Sequence, residues 1–110
     1  MELYEEKAEN CVIVGISGRL DTTNYNVLEQ RLMNLIDGGQ DRILVECSKM
    51  DYVSSSGLRI LLMALKKISL AKGKFVLCGL QENIREIFEI SGFTSIFEIH
   101  PGKSEALKVF

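Results

Sequence analysis

The run Cys11-Val12-Ile13-Val14-Gly15-Ile16 constrains this chain most. Successive side chains of a strand point to opposite faces, so a half-solvated strand alternates apolar and polar residues. This run barely alternates, which reads as a strand buried on both faces, the kind that parallel sheets use. Two more apolar strands follow, Arg42–Cys47 and Lys74–Cys78, and Leu3–Lys7 reads as an edge strand. Between them the apolar period changes to that of a helix. Thr22-Thr23-Asn24 offer N-caps to a helix carrying Val27, Leu28, Leu32, Leu35 and Ile36, and Gly38-Gly39 stop it. A second helix runs from Ser55 to Ala71 on a stripe of Leu58, Leu61, Leu62, Leu65 and Ile68, closed by Lys72-Gly73. Asn83–Ile90 packs Ile84, Ile87 and Phe88 and ends at Ser91-Gly92. Ser95–Ile99 is the last expected strand and Ser104–Val109 a short terminal helix. The alternation predicts one α/β domain over residues 1–110, with a mixed, mainly parallel sheet of about five strands and about four helices.

Composition narrows the function. The net charge is −2, and no Lys/Arg cluster with interleaved aromatics supports a nucleic-acid partner. The first residues, Met1-Glu2-Leu3-Tyr4-Glu5-Glu6-Lys7, are too acidic for a signal peptide, and no apolar run approaches the roughly 18 residues of a membrane span. A cytoplasmic protein with no membrane partner is expected. Cys11, Cys47 and Cys78 are odd in number and far apart, so they read as reduced, buried thiols rather than metal ligands. His100, the single histidine, reads as a loop residue. No metal site, no cofactor motif and no catalytic constellation is found, so no enzyme is expected.

The loops at the carboxyl ends of parallel strands form the usual ligand face. Asp21 and the turn Ser54-Ser55-Ser56-Gly57 both follow such strands, so both should open onto one edge of the sheet. Hydroxyls at a helix N-terminus lie beside unsatisfied N–H groups and the positive end of the helix dipole, which suits a bound or attached phosphate. Serines there also serve as plain N-caps. Arg59 lies one turn after Ser55 on the same side, where it opposes the dipole; it either meets an anion held at Ser55 or snorkels over the helix. Ile60 and Met63 form a small apolar contact patch or lie beneath a neighbouring helix. A binding or switch module fits these residues better than a catalyst.

In this order and at this length the chain resembles the STAS domain, the fold of bacterial anti-sigma-factor antagonists. The resemblance rests on Gly18-Arg19-Leu20-Asp21, the Ile43-Leu44-Val45 strand, the serine turn with Gly57-Leu58, the Gly73–Cys78 strand, and the segment ending Ile90-Ser91-Gly92. The family signature is Asp-Ser-[Ser/Thr]-Gly-Leu, whose first Ser accepts a phosphate from a partner kinase that is also the anti-sigma factor. By that resemblance Ser55 is the phosphoacceptor and Asp21 the acidic residue near it. Ser54, Ser56, Gly57, Arg59, Ile60 and Met63 join Asp21 on the partner-binding face. Where the family has Asp before the acceptor this chain has Ser54, and Ser-Ser-x-Gly-Leu-Arg resembles a variant branch. The resemblance implies a partner switch among an anti-sigma factor/serine kinase, this protein and a serine phosphatase. The alternatives are a STAS-like binding or scaffold subunit that is never phosphorylated, and a small serine hydrolase using Ser55 and His100.

Overall fold

Each strand joins the sheet beside the one before it, in the order β1-β2-β3-β4-β5. The computed structural model describes residues 1–110. Its elements are β1 (Glu2–Lys7), β2 (Val12–Leu20), α1 (Tyr25–Asp37), β3 (Arg42–Val53), α2 (Ser55–Leu70), β4 (Lys74–Cys78), α3 (Glu82–Ile90), β5 (Glu98–His100) and α4 (Lys103–Leu107). A 3-10 turn at Phe93–Ser95 precedes β5. β1 runs antiparallel to β2, and the other pairs are parallel. Parallel crossovers are right-handed. Strands added always on the same side therefore place α1, α2 and α3 on one face of the sheet.

The burial follows. A core of 21 residues lies under those three helices, and a smaller cluster of six lies under α4 on the opposite face. Neighbouring strand residues divide between them: Val14, Val45 and Leu77 face the large core, and Ile13, Leu44 and Val76 the small one. Burial on both faces is what the unalternating strands anticipated. No helix is long and apolar enough to cross a membrane.

Several expectations are corrected. β2 and β3 do not stop at Ile16 and Cys47; they run on together to Leu20 and Val53 through register shifts at Gly15/Ser17 and Gly18/Arg19. The shifts break the two-residue period: the buried residues along the end of β3 are Cys47, Met50 and Val53. Ser95–Ile99 is not one strand. Phe93 and Phe97 pack on Phe88, with ring centroids 5.9 and 5.7 Å away, and this holds a tight turn before a short strand. His100 ends that strand rather than lying in a loop, and its Nε2 sits 2.8 Å from Glu98 Oε2. Val27 is exposed, not core.

Cys11, Cys47 and Cys78 are free and buried. Burial pushes all three thiols up, Cys78 to about 12. The thiolate is the reactive form. Labelling of the folded protein with a thiol reagent is therefore expected to run on the order of 100-fold slower than in denaturant, because it waits on local opening. Rapid labelling of all three under native conditions would contradict this placement.

Candidate functional site

The parallel register pairs Leu20 with Val53, so β2 and β3 end side by side. The Ser54 amide donates to the Leu20 carbonyl at 2.9 Å, tying the start of α2 to the end of β2. Asp21 and the serine turn are thereby neighbours at the carboxyl end of the sheet, as their positions in sequence implied.

Within the turn the three serines do different things. Ser54 is extended, at φ −88° and ψ 170°, and its side chain accepts from the Gly57 amide at 3.2 Å. It is the N-cap, a role that asparagine, aspartate, serine or threonine fills. Ser55 is the first helical residue and is exposed; Ser56 is half-buried. The first-turn amides of Ser55 and Ser56 have no partner inside the helix. Gly57 is set by contact rather than by backbone angle. A β-carbon there would lie 2.7 Å from Leu20 Cγ and 3.1 Å from Val53 Cγ2. Only glycine lets α2 start this close to both strands.

Across from the serines, Asp21 is held in its own loop. Its Oδ1 accepts from the Thr23 amide at 2.9 Å and from the Thr23 hydroxyl at 2.6 Å, and Arg19 Nε lies 3.5 Å from Oδ2. The Thr23 bonds, helped by Arg19, hold the carboxyl below its usual range. Asp21 is therefore anionic at neutral pH. Arg19 stacks over the Tyr52 ring, 4.0 Å from its centroid. Asn24 sits at the N-cap position of α1, but its side chain does not cap the helix. Its Oδ1 accepts from the Asp21 amide and its Nδ2 donates to the Arg19 carbonyl, at 2.9 and 2.8 Å. Asn24 thus fixes the loop that carries Asp21.

Arg59 is exposed, one turn beyond Ser55, and its guanidinium lies 5.7 Å from the centroid of Tyr25 at the start of α1. No carboxylate pairs with it. Ile60 corrects an expectation: it is 2 % exposed and belongs to the large core, so it is no part of a contact patch. The buried face of α2 runs through Gly57, Leu58, Ile60, Leu61, Ala64 and Ile68. It is turned toward α1 relative to the leucine stripe, because small Ala64 weighs little in an apolar count. Leu62, Met63 and Leu65 are half-buried, each packed against the margin of the core. His100 is engaged with Glu98 on the edge strand, two strands from β3 and so about 10 Å away by strand spacing. The site thus joins Asp21, Ser54, Ser55, Ser56, Gly57 and Arg59. To these the structure adds Arg19, Thr23, Asn24, Tyr25 and Tyr52, which sequence spacing does not single out.

The sequence profile of the STAS domain matches residues 5–106. A Bordetella bronchiseptica protein, BtrV, whose own designation as an anti-sigma factor antagonist is provisional, is 36% identical over 110 residues, covering 100% of this chain and 95% of that one. The anti-sigma-B factor antagonist of Bacillus subtilis is 33% identical over 98 residues, covering 88% of this chain and 87% of its own. Among solved structures, the Bacillus cell fate determinant SpoIIAA in its phosphorylated form superposes with a TM-score of 0.77 at 17% identity, covering 97% of each chain. Sequence profile, relatives and superposed fold agree, and the chain belongs to the STAS domain family, among the anti-sigma factor antagonists.

Proposed function

We propose that this chain is a partner-switching regulator of transcription. Its serine-turn end binds an anti-sigma factor and so releases the sigma factor, and phosphorylation of Ser55 ends that binding. The observation that carries the reading is the division of labour between the serines: Ser54 is engaged as the cap, which leaves the exposed Ser55 hydroxyl free at the first position of α2. A kinase would transfer the γ-phosphoryl group of ATP to Ser55 Oγ, with the hydroxyl proton lost and ADP released. The added group carries about −1.5 to −2 charges. It lands beside first-turn amides and one turn from Arg59, surroundings that favour an anion. SpoIIAA, which shares the fold, exists in a phosphorylated form. A serine phosphatase would reset the switch.

Incubation with the host's anti-sigma kinase and ATP, followed by intact mass measurement, tests the reading. One phosphoryl group is expected, mapping to Ser55 and absent from Ser55→Ala. An unchanged mass would favour a binding or scaffold subunit that is never phosphorylated. A phosphopeptide outside Ser54–Ser56 would overturn the site.

A further inference from the structure

The solvent side of α2 is unusual in this molecule. Over 16 residues the helix has no Asp or Glu, although the chain holds 15 acidic residues against 13 basic ones. Its cations Arg59, Lys66 and Lys67 are exposed, and none forms an ion pair. Between them lie apolar side chains that the core covers only in part, Leu62, Met63 and Leu65, or not at all, Leu70. Leu62, Lys66 and Leu70 fall at every fourth position and make a ridge along the helix. A shallow groove of 690 Å³ borders it on one side, lined by Leu65 and closed by Ile96. A second, of 250 Å³, borders it on the other, where Met63 lies with Arg59 and Lys67. Leu70 is 86% exposed and Ile96 49%.

We propose that this face docks an acidic amphipathic helix of the protein partner, an inference that rests on the reading of the chain as an anti-sigma factor antagonist. A ridge flanked by two grooves is the relief that another helix packs into. Leucines left open beside such grooves mark contact surfaces. The charges choose the occupant. Two copies of the chain meeting here about a two-fold axis would set Arg59, Lys66 and Lys67 against their own kind, which disfavours self-pairing. A helix with carboxylates flanking its apolar stripe satisfies both the cations and the leucines. The face begins one turn past Ser55 and continues for roughly 16 Å. A partner lying along it has one end at the serine turn.

Calorimetric titration with the purified anti-sigma factor tests this. Lys66→Glu/Lys67→Glu and, separately, Leu70→Glu alter exposed residues, and circular dichroism and thermal midpoints check their folding. Each is expected to weaken binding about 10-fold or more, with Lys66→Gln/Lys67→Gln in between. The wild-type affinity should fall with added salt, and the charge-reversed variant should lose that dependence. Hydrogen exchange, which needs no variant, should show residues 62–70 protected in the complex. Wild-type binding with unchanged variants, or with no protection over 62–70, overturns the docking face and leaves the functional reading standing. Failure of the wild type to bind overturns the functional reading and this inference with it. A wild-type dimer that Leu70→Glu dissociates would overturn the acidic partner in favour of a second copy.

Discussion

Truncating Phe88 to alanine is expected to destabilise the protein by about 3–5 kcal/mol. Phe88 has no exposed surface, and its ring meets Phe93 edge-on at 5.9 Å and Phe97 at 5.7 Å. Its removal leaves a cavity between α3 and the sheet, and it forfeits ring contacts worth roughly 0.5–1.5 kcal/mol a pair. The gap closes poorly, because Phe97 is itself buried and packs on Phe75 at 6.4 Å. A domain of this size has about 5–15 kcal/mol in all, so the variant lies near the edge of folding. Urea unfolding should show a lower midpoint at an unchanged slope. A loss under about 1.5 kcal/mol would mean that the remaining phenylalanines collapse into the space.

The second large effect concerns binding. Phosphorylated Ser55 is expected to lower affinity for the anti-sigma factor about 30- to 150-fold, a coupling of about 2–3 kcal/mol. The unmodified turn presents a neutral hydroxyl beside Asp21, already anionic. A phosphate there adds about −1.5 to −2 charges to the single one on Asp21 and must be desolvated on docking. Ser55→Asp should weaken binding in the same direction but less, since one carboxylate stands in for a dianion. Ser55→Ala should bind like the unmodified protein. Titration of the four forms settles the order. Affinities equal within about twofold would remove the switch while leaving the protein a binder.

The sequence showed the order of elements and the joint placement of Asp21 and the serine turn, because both depend on local signals: apolar runs, glycine stops and hydroxyl caps. Features that depend on contacts across the fold were not legible. The outer half of β3 was hidden by bulges that turn a two-residue period into Cys47, Met50 and Val53. The start of the last strand depends on aromatic packing of Phe93 and Phe97 on Phe88, not on strand propensity. Of the two places open to Ile60, contact patch or buried beneath a neighbour, only the packing of α2 onto the rest of the fold decides for burial. Two local signals act through contacts that the sequence does not display. Asn24 holds the Asp21 loop instead of capping α1. At the end of α2 the left-handed residue is Lys72, at φ 60°, while Gly73 is needed because a β-carbon would run into the Asp41 backbone.

Gly57 seated against Leu20 and Val53, with the Ser54 amide on the Leu20 carbonyl, leaves the start of α2 no slack. A group added at Ser55 cannot swing the helix or slide it along the sheet without breaking that seat. A partner reading this corner meets a change of charge and bulk at a fixed address, not a change of shape. Under the proposed switch the signal needs no relay through the domain, because it is written and read at the same corner.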